Sequence, residues 1–411
     1  MPNVVFVVPF SMPSSLRFVR AVARLSGVRL GLVSQDPAER LPAEVRQMLA
    51  CYLQVDDALD PDRLEAAVRG LGQQLGSVDC LLGILEPLQE PLAEVRHRLN
   101  IPGMNGEVAR NFRDKAHMKD VLAHHDLPCA RHQLCGSVDE AVRFVAEVGY
   151  PLVGKPPAGA GAKTTARLEN DGDLQQFLGK VRPEPGRELL LEEFVQGREF
   201  SFDSVSLNGE HVFHSVSEYH PTPLHVLENP WIQWCVLLPR SVEGGEYSDI
   251  GNVGPRVLSA LGMETGMTHM EWFRREDGSI AIGEVAARPP GAQFMTLISY
   301  AHDTDMYRTW AQLMVFGQFI APKRSHSAGA VYLRGQADQD SKTGRVRGVT
   351  GIEEVQREFG ELVVEAQLPQ KGQSAADTYE GDGYVIIRHP ETEVVQAALA
   401  KIVSTLRVEL G

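Results

Sequence analysis

The chain has 411 residues, 43% of them hydrophobic and 23% charged, which are ordinary proportions for a globular protein and predict two to four domains. A net charge of −14 disfavours binding to nucleic-acid backbone or to anionic lipid. The apolar runs fall well short of the ~20 residues that cross a bilayer. The N-terminus reads as a strand and not as a signal peptide, and five scattered cysteines favour free thiols, so we expect a cytoplasmic protein.

The first hundred residues alternate predicted strands and helices. The run NVVFVVPF is followed by the helix-like SLRFVRAVARL, and the strands VRLGLVSQDP and VDCLLGILEP lie on either side of the helical DRLEAAVRGLGQQLG. This alternation predicts a parallel sheet covered by helices, with a boundary near residue 100.

The next segment mixes helices with short strands. We expect a helix up to about His125, a turn at Pro128, and a further helix whose start at Ser137 and Glu140 fits a capping box. The strand YPLVGKP, a small-residue loop and another strand follow. The segment from 188 to 219 is rich in strands, with a hairpin turn at 208–209.

The rest of the chain continues this mixture. Residues 222–248 read as irregular and aromatic, and SDIGNVGPRVLSALGM as a helix that leads into the hairpin THMEWFRREDGSIAIGEV. TLISYAHDTDMYRTWAQLMVFG is helical. Short strands return from about Ala321, and PETEVVQAALAKIVSTLRVEL closes the chain as helix and strand.

The loop VGKPPAGAGAKTT is the first candidate for chemistry. Lys155 ends an apolar strand, and Gly159 and Gly161 allow a backbone to approach phosphates closely. The loop has neither the GK[ST] of a Walker A motif nor the third glycine of a dinucleotide fingerprint. Taken alone, a flexible hairpin loop with a surface lysine is the simpler interpretation.

The segment LLLEEFVQGREF is the second candidate. Backbone groups from Glu193 to Val195 could read an adenine edge, and Glu199 could accept hydrogen bonds from ribose hydroxyls. A strand end with a solvated acidic rim explains the same residues.

The predicted hairpin carries the third candidate. Its adjacent strands can bring Glu271 and Glu284 to one face, where two carboxylates repel unless a cation lies between them, and hard oxygen ligands suit Mg²⁺. Arg288, four residues after Glu284, could hold a phosphoryl group or an oxyanion. The alternative is a surface hairpin with exposed acids, which suits Glu276 and Asp277 better than Glu284.

In this order and spacing, the lysine before a helix, the KP loop, EEFVQGREF and HMEWF…GEVAARPPG resemble the ATP-grasp superfamily from about residue 100 to 320. The resemblance implies an α/β and α+β multidomain fold. Its parts are a Rossmann-like domain (1–100), a small ATP-grasp subdomain with a mobile glycine-rich lid (101–188), a large subdomain with the Mg-ATP site (189–320) and a C-terminal α+β extension (321–411).

The resemblance assigns the nucleotide contacts by position. Lys115 and Lys155 match two lysines that contact ATP phosphates, and 158–164, with Gly159 and Gly161, matches the loop that covers them. The adenine-side hinge and the ribose-binding acid are matched by Glu192, Glu193, Phe194, Val195 and Glu199.

The resemblance also implies ATP and Mg²⁺ as cofactors. Glu271 and Glu284 match the acids that hold the metal, and Arg288 matches the catalytic arginine beside the reacting phosphoryl group. The family commonly has Glu-x-Asn-x-Arg at this last motif, whereas this chain has Ala286 at the Asn position. Because alanine cannot ligate a metal, water, substrate or a neighbouring side chain such as His269 must take that position.

The implied reaction is ATP-dependent ligation. ATP-grasp enzymes generally phosphorylate a carboxylate and let a nucleophile displace the phosphate, and the C-terminal segment from GAVYLRGQADQD resembles the tail of L-amino-acid ligases and other carboxylate–amine ligases. A peptide or amide bond formed through an acyl phosphate from small carboxylate and amine substrates is therefore expected. Gly291 and Ala292 would border the acceptor pocket, and family habit favours a homodimer.

Three alternatives remain open at this point. A biotin-carboxylase-like enzyme shares the ATP site, but the chain has no biotin-attachment segment such as MKM. A D-alanine–D-alanine-type ligase is usually shorter and lacks the C-terminal extension. A nucleotide-binding protein without turnover would explain Ala286 but not the retention of the lysines, the paired glutamates and Arg288.

Overall fold

The fold was analysed in a computed structural model, which describes residues 1–157, 165–229, 231–336, 344–376, 378 and 380–411. Within these residues, the predicted mixed α/β architecture is observed as four sheets connected by helices. Gly159 and Gly161 of the predicted lid lie outside the described residues. Within the described part, no helix has the length and apolarity needed to cross a bilayer.

The N-terminal segment forms a parallel sheet in the order β3-β2-β1-β4. The first of its strands is a largely apolar run that is buried throughout. Its elements are β1 (Asn3–Val7), α1 (Pro13–Ala23), β2 (Arg29–Ser34), α2 (Ala43–Met48), β3 (Cys51–Gln54), α3 (Pro61–Leu75), β4 (Cys80–Leu82) and α4 (Gln89–Leu99).

The second segment holds an antiparallel sheet in the order β5-β8-β6-β7. The predicted capping box forms only in part, because the Ser137 hydroxyl accepts from the Glu140 amide while the Glu140 carboxylate accepts from Gly136 and not from Ser137. The elements are α5 (Gly106–Arg113), α6 (Lys115–His124), β5 (His132–Cys135), α7 (Val138–Val148), β6 (Leu152–Lys155), β7 (Ala166–Leu168), α8 (Asp171–Val181) and β8 (Leu189–Glu193).

The third segment begins a large sheet. The prediction that 222–248 is irregular is wrong for two parts of it, because a short helix and a fully buried strand lie there. A five-residue run buried on both faces has no alternation by which a strand can be read. The elements are β9 (Gly197–Leu207), β10 (Glu210–His220), α9 (Pro223–Glu228), β11 (Trp234–Leu238), α10 (Ser248–Ala260), β12 (Gly266–Arg275), β13 (Ile280–Ala286), α11 (Phe294–Ala301) and α12 (Met306–Phe316).

The C-terminal segment completes that sheet, whose order is β13-β12-β9-β10-β11-β14-β18-β17, and adds a small sheet in the order β15-β19-β16. The new elements are β14 (Ser327–Leu333), β15 (Gly335–Gln336), β16 (Val346–Thr350), α13 (Ile352–Phe359), β17 (Val363–Gln367), β18 (Gly383–His389), α14 (Thr392–Thr405) and β19 (Arg407–Leu410).

A shared hydrophobic core fixes the N-terminal sheet against the large sheet. Phe6 of β1 and Phe18 of α1 pack edge-on against Trp310 of α12, with ring centroids 6.0 and 5.0 Å apart. The same buried cluster contains Trp234 of β11 and Tyr332 of β14, whose rings stack at 4.4 Å. This packing holds the carboxyl end of β4 next to the large sheet, where the site described next is located.

Candidate active site

One cavity of about 760 Å³ collects the residues that the sequence singled out. It is lined by residues of the large sheet and of the small antiparallel sheet, and by Glu86, which follows the N-terminal strand β4. The predicted residues that line it are Lys115, Lys155, Glu192, Glu193, Phe194, Val195, Glu199, Glu271, Glu284 and Arg288.

The pairing of β12 with β13 brings two acidic residues together in the cavity. Glu271 of β12 lies directly opposite Glu284 of β13, so the predicted shared face of these two carboxylates is confirmed. A β-bulge follows, with Trp272 opposite Ile282, and Gly283 is its extra residue. A Cβ atom at Gly283 would approach the Phe273 ring to 2.9 Å, so glycine suits this bulge.

A third carboxylate shows how concentrated this negative charge is. Glu199 of β9 is buried, and its pKa is raised well above the usual value by burial and by the nearby Glu271. Burial also acts to raise the pKa of Glu284, but the ammonium groups of Lys115 and Lys155 outweigh it and bring that pKa below its usual value. A divalent cation held by Glu271 and Glu284 would relieve the repulsion, so the residues fit such an ion. Among the described side chains, no group of three or more His, Cys, Asp and Glu could hold a metal unaided, so phosphate oxygens or water would have to complete its shell.

Two lysines face these acids from other elements. Lys115 begins α6 behind the N-cap Asp114, and its Nζ lies 2.7 Å from Glu284 Oε1. Lys155 ends β6, and its Nζ lies 3.0 Å from Glu192 Oε2. Both ammonium groups are largely buried, so the charges are held in place at the cavity wall.

The predicted hinge from 192 to 195 begins in the last two residues of β8 and continues beyond them. The N–H groups of Glu193 and Phe194 donate to the carbonyls of Arg131 and Pro151, at 2.9 and 3.1 Å. These two amides, which the sequence suggested for reading an adenine edge, are therefore used within the protein. The Glu193 carboxylate is likewise engaged, 2.8 Å from Arg131 Nε and 2.5 Å from Arg275.

Glu86 and Lys119 are among the charged residues of the site that the sequence did not indicate. Glu86 follows β4, is buried, and lies 3.2 Å from both Arg113 and Arg288. Lys119 is fully buried, and its Nζ lies 3.6 Å from Glu192 Oε1 and donates to the Gly283 carbonyl at 3.0 Å. An acid just after a parallel strand was a usable signal for Glu86, and the spacing of one helical turn from Lys115 was a usable signal for Lys119.

A series of polar side chains in contact with one another lies beside Glu271. The fully buried Asp203 lies 2.6 Å from Nδ1 of His269, whose Nε2 is 3.8 Å from Glu271 Oε1. Although burial lowers it, the carboxylate of Asp203 raises the pKa of His269 to about 9. Ala286 lies directly opposite His269 in the β12–β13 pair.

The cavity also has an apolar wall. It includes Leu224, Leu227 and Phe294, and the small residues Gly291 and Ala292 line the same cavity. Of the aromatic and histidine residues between 219 and 234, Tyr219, His220 and His225 line the cavity. Trp231 is instead exposed at the surface, and Trp234 is buried in the core.

Comparisons with known proteins agree with this geometry. Residues 148–296 match the family described as ATP-grasp domain. An L-arginine-specific L-amino acid ligase from Bacillus subtilis is 25% identical over 287 residues, which are 68% of this chain and 66% of the relative. This chain spans from 24% to 66% of the length of the first curated relatives that it matches.

Solved structures share the fold. The L-amino acid ligase from Bacillus licheniformis has a TM-score of 0.79 at 18% identity, covering 100% of this chain and 98% of that one. The biotin carboxylase domain of a Hydrogenobacter thermophilus 2-oxoglutarate carboxylase, in complex with MgADP and bicarbonate, has a TM-score of 0.71 at 16% identity, covering 99% and 90%. The ATP-grasp interpretation is thus confirmed for residues 148–296, and the multidomain α/β fold is confirmed.

Proposed function

The chain carries an ATP-grasp domain at residues 148–296, and on this premise we propose that it is an ATP-dependent carboxylate–amine ligase. It would join an amino-acid-like carboxylate to an amine through an acyl phosphate and release ADP and phosphate. The domain division at 100, 188 and 320, a homodimer and a cytoplasmic location are part of the same proposal.

One observation carries this proposal. The paired carboxylates of Glu271 and Glu284 share a single cavity with the cationic groups of Lys115, Lys155 and Arg288. Phosphoryl transfer depends mainly on positioning and on compensation of charge, and this arrangement offers both. A nucleotide would bring phosphates to the lysines and a cation to the acids.

The chain's own residues have separable tasks in this proposal. Glu271 and Glu284 would hold Mg²⁺, which when bound supplies positive charge to the β- and γ-phosphates. Lys115 and Lys155 would fix the phosphate oxygens, and the buried Glu199 would accept from ribose hydroxyls. Arg288 would donate from its planar guanidinium to the developing acyl phosphate, and Glu86 at 3.2 Å keeps that guanidinium in place.

The apolar wall of the cavity supports an amino-acid-like substrate. Arg288 lines the same cavity and can attract a carboxylate, while the wall of Leu224, Leu227 and Phe294 suits an apolar side chain. The relatives named as L-amino acid ligases point to the same class of substrate. A bicarbonate-dependent carboxylase would have no use for such a wall.

Phosphate release from Mg·ATP, measured across amino acids singly and in pairs, tests the proposal. Glu284→Ala is the inactive variant, and Glu276→Ala is its matched control because Glu276 lies exposed in the turn of the same hairpin. Release that requires a particular pair, disappears in Glu284→Ala and persists in Glu276→Ala is the expected result. If the protein binds ATP but releases no phosphate with any combination of amino acids, ligation is refuted and a nucleotide-binding protein remains.

A further inference from the structure

The ATP-grasp pattern places an amide side chain two residues after the second metal-binding glutamate, and this chain has Ala286 there. Ala286 is buried at the floor of the cavity. Its methyl group cannot contact a cation, yet its register partner across the β12–β13 pair is the imidazole of His269. The position that has lost a polar side chain therefore lies beside a strand residue that supplies one.

The His269 ring is held firmly. Asp203 Oδ1 lies 2.6 Å from Nδ1, and the other oxygen of Asp203 accepts from the Ser201 hydroxyl at 2.8 Å. The Ser201 hydroxyl in turn lies 2.9 Å from that of Ser217, so the chain extends to a third strand. The ring of Phe294 meets the imidazole edge-on with centroids 5.7 Å apart. These contacts fix the ring with Nε2 towards Glu271.

The two metal-binding acids are steadied differently. Glu284 is fixed by Lys115 at 2.7 Å, whereas Glu271 Oε1 lies 3.8 Å from His269 Nε2. An unfixed carboxylate must give up rotamer freedom each time it binds a cation. Residues behind metal ligands commonly supply this orientation, and their loss lowers metal affinity ~10–100-fold.

We propose that His269, oriented by Asp203, is the positioning residue for Glu271 and so offsets the missing amide ligand at position 286, in a site that holds a single cation between Glu271 and Glu284. The inference rests on the proposed function. It assigns to Asp203 and His269 a part in cation binding in a chain whose residue 286 supplies no ligand.

Binding of Mn²⁺ in the presence of ADP, followed by electron paramagnetic resonance, tests the inference without any turnover. His269→Ala is expected to weaken Mn²⁺ ~10–100-fold. Adding Ala286→Asn to this variant is expected to recover most of the loss, because the amide oxygen can then coordinate the cation directly. His326→Ala is the matched control, since His326 lies outside the cavity, and it should bind Mn²⁺ like the wild type.

A second variant distinguishes a loss of cation binding from misfolding. Asp203→Asn keeps the side-chain volume but removes the charge that orients the ring, and it should weaken Mn²⁺ by an intermediate factor while metal-free ADP binding stays unchanged. Mn²⁺ affinity within twofold of wild type in both His269→Ala and Asp203→Asn overturns the inference and leaves the proposed function intact. A wild-type protein that binds no Mn²⁺ with ADP overturns both. Two Mn²⁺ ions per wild-type chain overturn the single-cation site alone.

Discussion

Replacing Lys119 with Met removes a fully buried charge while nearly preserving the side-chain volume. The Lys119 ammonium lies between the Glu192 carboxylate at 3.6 Å and the Gly283 carbonyl at 3.0 Å. Burial lowers the pKa of Lys119. Burial also acts to raise the pKa of Glu192, yet Lys119 and Lys155 together bring that pKa below its usual value. Glu192 is therefore an ionised acid that needs both lysines.

The expected loss of stability depends on the charge that remains buried on Glu192. Removing one partner of a buried ion pair costs ~3–5 kcal/mol, because the other charge stays buried without compensation. Lys155 still lies 3.0 Å from Glu192 Oε2, so we expect the lower end, about 3 kcal/mol. Adding Glu192→Gln to Lys119→Met removes the orphaned charge and should recover ~1–3 kcal/mol, which is the coupling typical of residues in contact.

Urea denaturation followed by tryptophan fluorescence measures this loss. With a slope of ~3 kcal/mol per molar urea, the midpoint of Lys119→Met should fall by ~1 M. Lys180→Met, an exposed lysine on α8, is the control and should stay within ~0.5 kcal/mol. A Lys119→Met midpoint equal to that of the control, or a double variant that simply adds the two losses, would refute the ion-pair reasoning.

Three further outcomes are expected. Burial lowers the pKa of His211 and of His302 to about 4. Because unfolded histidine titrates near 6.5, the stability that these neutral rings contribute should be lost as the pH falls from ~6.5 to ~4. The urea midpoint should therefore decrease over this pH range, and it should decrease less in His302→Phe. Arg288→Lys keeps the positive charge but loses the paired N–H donors of the guanidinium group. The kcat for phosphate release should therefore drop ~100-fold while the KM for ATP changes little. An unchanged kcat would exclude contact between Arg288 and the acyl phosphate. In Gly197→Ala the new Cβ would collide with the Arg274 carbonyl on the neighbouring strand, so the thermal midpoint should fall by ~5 °C in calorimetry, and an unshifted midpoint would contradict the close approach.

Periodicity and turn chemistry made part of this molecule readable from its sequence. The hairpin at 268–285 was read correctly because a turn signal separates two strands that carry apolar residues. The bulge at Gly283, which brings Glu284 opposite Glu271, leaves no mark in that pattern. β11 was missed because all five of its residues are buried and no alternation marks it. The shared hairpin of the two acids could thus be predicted, whereas their bulged register and β11 could not.

Residues defined by distant partners were the hardest to predict. Glu86 contacts Arg288 from 202 positions away, and Lys119 donates to Gly283 from 164 positions away. Local patterns record helix faces and turns, but they carry no information about which elements meet in space. Asp203 is a further case, because nothing in EFSFDSVS distinguishes a buried carboxylate that orients a histidine from a polar strand residue facing water.

The pairing of charges explains how a site this polar can be buried and still accept a nucleotide. Lys115 lies 2.7 Å from Glu284, and Arg288 lies 3.2 Å from Glu86, so cationic groups proposed to meet phosphates each have an acidic partner on another element. Phosphates alone would have to compete with those carboxylates, and a cation alone would have to compete with the lysine. Bound together, the two would allow an exchange in which Glu284 turns to the cation as Lys115 turns to a phosphate, so that each charge keeps an opposite partner. The preference for a metal–nucleotide complex over either component would then arise from the ion pairs themselves, with the lysine of α6 and the acid of β13 acting as one unit.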